Sequence, residues 1–192
     1  MMAVLDTVGL QHLLRRPKKN RNGEGRVAQL LSRRTALDPI LKDKRLRLAL
    51  DSANGLLSEW QRTCGREAVH VVVTTWGDWG AIAYIKDPPK LGQSTARTLR
   101  QLEFLDPVDK LVIRLALALT PKFIVTEDSD FWDPTDKESK GNQNAPVAVY
   151  CREAHGIRMW LLGDFLRHVG CAEEKRKSRV RPSPSRRRRS DL

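Results

Sequence analysis

The sequence predicts an α/β protein in three layers, a mostly parallel sheet with helices on both faces. Two observations carry this prediction. Short apolar runs of strand length alternate along the chain with longer stretches of helical periodicity. Several of the short runs are apolar at nearly every position, as strands covered on both faces are. The chain has 192 residues, enough for one domain with a sizeable core.

Met2 to Leu5 is apolar and ends at Asp6, a first buried strand, and Val8 to Leu14 follows as a helix. Arg15 to Gly25 is rich in Gly, Pro, Asn and charge and predicts a loop. Arg26 to Leu37 carries Val27, Leu30, Leu31 and Arg34 at helical spacing. Leu46 to Leu50 is a second strand ending at Asp51, and Ser52 to Thr63 a helix with Leu56, Leu57 and Trp60 on one face. Val69 to Thr75 is β-branched and almost wholly apolar, which predicts a central parallel strand.

Two prolines and a glycine make Lys86 to Gln93 a loop, after which Ser94 caps a helix reaching Phe104. Asp106-Pro107 joins an N-cap residue to proline at the first helical position. The helix it opens extends to about Leu119, where Pro121 helps to stop it. Phe123 to Thr126 is a strand ending in an acidic cluster, and Thr135 to Asn144 a polar loop. Pro146 to His155 is a helix, Ile157 to Leu161 the last strand, and Asp164 to Val169 a short last helix. Residues 1–170 form the expected domain, with a basic insertion over 15–45, and 173–192 a basic disordered tail.

The net charge of +12 is unevenly spread. Residues 15–47 hold twelve basic and three acidic side chains, and 173–192 nine and three. The remainder holds fourteen basic and seventeen acidic, so a mildly acidic body carries two basic additions. Basic arms attract a phosphate backbone by counterion release, so nucleic acid is the expected partner of both segments. An acidic inhibitor protein is a second expected partner of the same arms.

Other classes are excluded. Runs such as Leu115 to Leu119 fall far short of the roughly 20 apolar residues a membrane helix needs. The start lacks a basic n-region, and Asp6 interrupts its apolar run, unlike a secretory signal. Cys64, Cys151 and Cys171 are odd in number and widely spaced, which rules out a zinc ribbon and suits a reducing, cytoplasmic setting. Arg186 to Arg189 would also read as a nuclear signal.

Three predicted strands end in a carboxylate: Asp6, Asp51, and the Glu127-Asp128-Ser-Asp130 group. Asp109 adds a fourth at the start of a long helix. In a parallel sheet these ends share one edge, where ligands gather. Carboxylates brought together repel and raise one another's pKa unless a cation neutralises them. Hard oxygen donors suit Mg2+ or Mn2+, and the matching reaction is in-line phosphodiester hydrolysis. Taken singly, each acid has an ordinary role. Asp6 and Asp51 cap the helices that follow, Asp109 favours a helix dipole, and Asp128 and Asp130 form a turn.

Several segments together resemble the PIN domain, a small family of metal-dependent nucleases. Val4-Leu5-Asp6-Thr7 resembles its opening strand, and Asp109 to Ala116 its helix with Asp at the start and Ala seven residues on. Thr126-Glu-Asp128-Ser-Asp130-Phe131 is similar to its Thr-x-Asp-x-Asp-Phe element, and Gly156 to Leu166 to its final strand and short helix. The resemblance spans about residues 2 to 168 in order. It implies a Rossmann-like sheet of PIN type and a nuclease favouring RNA over single-stranded or structured DNA. It implies Asp6, Asp109 and Asp128 as catalytic metal ligands, with Asp130 as an auxiliary. Either Glu59 or Asp51 would be the remaining acid, and Thr7 or Thr126 would orient a ligand.

Metal-bound hydroxide would be the nucleophile, so His12, His70, His155 and His168 are expected to be structural. Trp76 and Trp79 are expected to pack in the core ahead of stacking on bases, and Trp60, Trp132 and Trp160 to lie in the core. A nucleic-acid-binding protein with the same fold and no activity is the alternative. A haloacid dehalogenase-type phosphatase would need an Asp at position 8, where Val8 stands, and a Toprim-like site would rest on Asp128 and Asp130 alone.

Overall fold

The computed structural model describes residues 1–14 and 36–170. Five strands form one sheet: β1 (Met2–Leu5), β2 (Arg47–Asp51), β3 (Ile82–Ile85), β4 (Phe123–Val125) and β5 (Arg158–Trp160). All neighbours run parallel, in the order β3-β2-β1-β4-β5. The helices among the described residues are α1 (Thr7–Leu14), α2 (36–42), α3 (Gly55–Cys64), α4 (Arg66–Asp78), α5 (Gln93–Gln101), α6 (Pro107–Leu117), α7 (Pro146–His155) and α8 (162–170). The protein is a three-layer, Rossmann-like α/β fold, as its strand–helix alternation predicts. None of the described helices is long and apolar enough to cross a membrane.

The chain steps outward from β1 to β2 and β3, then returns to β4 beside β1 and continues to β5. The direction of winding reverses between β1 and β4. Such a reversal opens a crevice at the carboxyl ends of the two strands. Helix α1 lies close over this point. A Cβ added at Gly9 would come within 2.9 Å of Leu5 Cδ1 and 3.3 Å of the Val125 carbonyl, so only glycine permits this approach to both strands.

The core is continuous from the strands to both helical layers. Trp60, Trp76 and Trp132 are buried to within 1% of full coverage. Truncating any of them to alanine costs about 3–5 kcal/mol by lost transfer and cavity formation. Trp79 packs against the core from α4's end and Trp160 is half-buried, so Trp160 is not the interior residue expected. Trp76 Nε1 donates to Asp38 Oδ1 at 3.2 Å, tying α4 to α2.

The expected strand over Val69 to Thr75 is instead the middle of α4. Val69, Val72 and Trp76 are buried at helical spacing, while Val71 is 57% exposed. The run therefore has one apolar face, which a helix satisfies and a strand covered on both faces does not. Strand β3 comes from Ile82–Ile85 instead, after Gly80 turns the chain at φ 68°. Three helices also differ at their ends. Helix α3 begins at Gly55 rather than Ser52, α5 is preceded by Gly92 at its N-cap rather than Ser94, and α8 begins at residue 162.

The expected helix over 26–37 lies outside the described residues except for 36 and 37, and the expected tail over 173–192 lies outside them entirely. The end of the basic insertion belongs to the core. Leu37, Ile40 and Leu41 of α2 are buried, as is Leu46 just before β2.

Candidate functional site

The crevice between β1 and β4 is lined by aspartates. Asp6 follows β1 and is 2% exposed. One oxygen accepts from Thr7 N at 2.6 Å, and the other from Val8 N at 3.3 Å, so Asp6 caps α1. Thr126, fully buried after β4, donates its hydroxyl to Asp6 Oδ2 at 2.9 Å and accepts from Asp128 N at 2.9 Å. Thr126 N in turn donates to Trp160 O at 3.0 Å, fixing the end of β4 against β5. The half-buried Asp128 caps a short 3-10 turn, Ser129–Phe131, through Asp130 N at 3.0 Å.

Asp109 reaches the same crevice from α6. Asp106 caps that helix, accepting from Val108 N at 2.6 Å, with Pro107 at the first helical position as the sequence predicts. This places Asp109 in the first turn. Burial pushes its carboxyl up to about 8, and the charges of Asp6, Asp106, Asp128 and Asp130 add to the rise. Asp6 rises to about 7, first through burial and then through Asp128, against hydrogen bonds from Thr126, Thr7 and Val8. Asp130 is also raised, by burial first and then by Asp128, while Lys137 opposes the rise. Four predicted site residues, Asp6, Asp109, Asp128 and Asp130, thus share one electrostatic neighbourhood.

The remaining two do not join it. Asp51 follows the register of β2 but turns both oxygens onto α3, accepting from Gly55 N at 2.7 Å and Leu56 N at 2.9 Å. Glu59 accepts from Arg62 Nε at 2.9 Å and Thr63 Oγ1 at 3.0 Å, and Arg62 draws its carboxyl below the ordinary range. The ordinary capping role of Asp51 is therefore the one observed. Of the two threonines, Thr126 orients Asp6, whereas the buried Thr7 hydroxyl has no hydrogen-bond partner among the described residues.

The donors fit Mg2+ or Mn2+ in chemistry. All are hard oxygens, and burial, with repulsion from neighbouring carboxylates, raises the Asp6 and Asp109 carboxyls to about 7 and about 8. Among the described residues, however, no group of three or more His, Cys, Asp or Glu side chains stands ready to hold an ion. The aspartates influence one another without being drawn into a ligand sphere.

Glu127 is a structural anchor that the sequence did not single out. It is 8% exposed between Lys140 Nζ at 2.7 Å and Leu162 N at 3.1 Å, with His12 Nδ1 at 3.9 Å. Its only signal was an acid directly after an apolar strand. His155 Nε2 lies 3.3 Å from Thr95 Oγ1, and His168 stacks on Trp160, so neither belongs to the aspartate cluster.

The described basic residues of the insertion lie elsewhere. Arg47 pairs in register with Met2 at the amino edge of the sheet, and Lys42 and Lys44 precede it on the surface. The aspartates lie at the carboxyl edge. Lys137 acts on Asp130, whereas Arg62 is paired with Glu59. No protein-family model, curated protein or solved structure significantly matches this chain.

Proposed function

We propose that this chain is a metal-dependent nuclease of PIN type that hydrolyses phosphodiester bonds. The observation that carries the reading is the electrostatic neighbourhood that Asp6, Asp109, Asp128 and Asp130 share beyond the carboxyl ends of the paired strands β1 and β4. Natural folds place ligands there, and four carboxylates in one neighbourhood oppose folding unless a cation neutralises them. Asp6, Asp109 and Asp128, with Asp130 as auxiliary, would hold Mg2+ or Mn2+. Such an ion supplies an activated water at neutral pH and stabilises the leaving oxygen.

The chain's own contribution is positioning and charge. Thr126 holds Asp6 in one rotamer and fixes the backbone that carries Asp128. Lys137, whose charge acts on Asp130, would attract a substrate phosphate. The preference for RNA follows from the family resemblance alone, whereas an intracellular setting is supported by the odd, widely spaced cysteines and an inhibitor partner by the basic arms. Segments 15–47 and 173–192 would add salt-dependent attraction from outside the site.

A nucleic-acid-binding protein without activity is the second reading. It is favoured by the engagement of both Asp51 and Glu59 elsewhere, so neither candidate for the remaining acid joins the cluster. Cleavage of labelled RNA and DNA with Mn2+ separates the two. The nuclease reading expects Mn2+-dependent cleavage that Asp128→Asn lowers about 100-fold or more. Tight binding with no metal-dependent cleavage by the wild type establishes the second.

A further inference from the structure

At the amino edge of the sheet, a cavity of about 380 Å³ is lined among others by Leu119, Pro121, Lys122, Phe123, His155 and Arg158. Lys122 directly precedes β4, and Arg158 opens β5. Arg158 N donates to Lys122 O at 2.9 Å, so the two cationic residues are joined where their strands begin. Asp128 follows the other end of β4. Four residues at strand rise separate Lys122 from Thr126 by about 13 Å of backbone.

We propose that this cavity binds the phosphate group of a small phosphate ester, at a site separate from the aspartates and independent of any chemistry there. Arg158 is exposed, and its guanidinium makes no hydrogen bond or ion pair among the described residues. Lys122 Nζ donates to His155 O at 3.0 Å, and an ammonium has two further N–H donors to give. Among the described residues that line the cavity, none is acidic. Burial lowers the His155 imidazole below its ordinary value, and the charge of Lys122 lowers it further, so that charge acts within the cavity.

The end of α7 is prepared for the same ligand. The last carbonyls of a helix carry partial negative charge and repel an anion. Here Gly156, at φ 68°, donates its N–H to Arg152 O at 2.9 Å, and Ile157 N donates to Cys151 O at 3.0 Å. His155 O is taken by Lys122, so three of these carbonyls are already engaged. The His155 ring is held by Thr95 Oγ1 at 3.3 Å and edge-on to Tyr150.

Charge and space favour a phosphate ester over a carboxylate. Two cations without a counterion match the charge of about −1.5 to −2 that a phosphate monoester carries near pH 7. A guanidinium grips two phosphate oxygens at once, and the ammonium adds a point charge beside it. Cavities of a few hundred Å³ hold small organic ligands, and Leu119, Pro121 and Phe123 supply an apolar wall for the body of the ester.

Calorimetry with the full chain in chelator tests this, with adenosine 5′-monophosphate and adenosine as probes. Adenosine should bind at least about tenfold more weakly than the monophosphate. Arg158→Gln removes no contact among the described side chains and should weaken the monophosphate about tenfold, while Arg158→Lys keeps part of the affinity. Arg66→Gln removes the same charge from the exposed start of α4 and should change nothing. The imidazole proton resonances of His155 should shift with the monophosphate in the wild type and stay still in Arg158→Gln. A 5′-phosphorylated oligonucleotide separates the sources of the phosphate. Binding through Arg158 tighter than that of the monophosphate assigns it to a strand end, and equal or weaker binding to a free ester. Adenosine binding as well as the monophosphate, an unchanged affinity in Arg158→Gln, or an equal loss in Arg66→Gln overturns the proposal.

Discussion

Thr126 and Asp6 are 120 residues apart in the chain, yet the threonine hydroxyl donates to the Asp6 carboxylate at 2.9 Å with both groups buried. The same oxygen accepts from Asp128 N, so one hydroxyl couples the ends of two neighbouring strands. Thr126→Val keeps the shape and deletes both bonds. It should cost about 1–3 kcal/mol in urea unfolding, because Asp6 and the Asp128 amide lose a buried partner. Calorimetry should also show weaker Mn2+ uptake, since Asp6 loses a bond that favours its ionised form. Thr126→Ser should recover most of both losses. Undiminished Mn2+ uptake by the valine variant would remove Thr126 from the positioning role.

The raised carboxyls make a prediction about pH. Asp6 and Asp109 hold protons up to about 7 and about 8 in the folded protein, against an ordinary value of 3.8. Between those limits the folded state binds more protons than the unfolded one, so the free energy of unfolding falls as pH rises. Below about pH 4 and above about pH 8 these two groups add no further slope. The urea midpoint of chelated protein should therefore decline across this window, and Mn2+ should restore it most at the alkaline end. Asp109→Asn should flatten the decline and stabilise the chelated protein near pH 8 by on the order of 1 kcal/mol or more. A midpoint that rises through the window would contradict the crowding of these carboxyls.

Local chemistry explains which parts of the fold were legible. Asp106-Pro107 announces α6 because an N-cap and a first-turn proline act within four residues. Pro146–His155 is likewise bounded by proline and by Gly156 at φ 68°. Val69 to Thr75 misled because β-branched propensity is weak beside the burial of one helical face. For the site, the strand-end pattern was enough to bring Asp6, Asp109, Asp128 and Asp130 to one neighbourhood. It was not enough for Asp51 and Glu59, since helix capping and metal binding use the same residue types at the same positions.

Asp51 and Glu59 are the two candidate acids whose oxygens are taken up by helix amides and by Arg62. Asp51→Ala leaves Gly55 N and Leu56 N without acceptors at the start of α3 and should cost about 1–2 kcal/mol. Any Mn2+-dependent cleavage should persist in the folded fraction. Glu59→Gln breaks a partly exposed pair with Arg62 and should shift stability by less than about 1 kcal/mol. A loss of cleavage in Glu59→Gln as deep as in Asp128→Asn, at unchanged stability, would show that Glu59 swings into the cluster after all.

Glu127 and Lys140 predict an asymmetry. Their 2.7 Å pair joins a carboxylate that is nearly inaccessible to an ammonium whose side chain is 32% exposed. Glu127→Gln leaves Lys140 free to reach water, and the new amide oxygen can still accept from Leu162 N. Lys140→Met takes the 2.7 Å ammonium away from a carboxylate that is nearly inaccessible to water. Removing the exposed partner should thus be the more damaging change, by about 1–2 kcal/mol in urea unfolding. Hydrogen exchange over residues 137–145 should rise in both, because the pair fastens that loop to the end of β4. Equal destabilisation by the two variants would mean that the buried carboxylate does not carry the asymmetry.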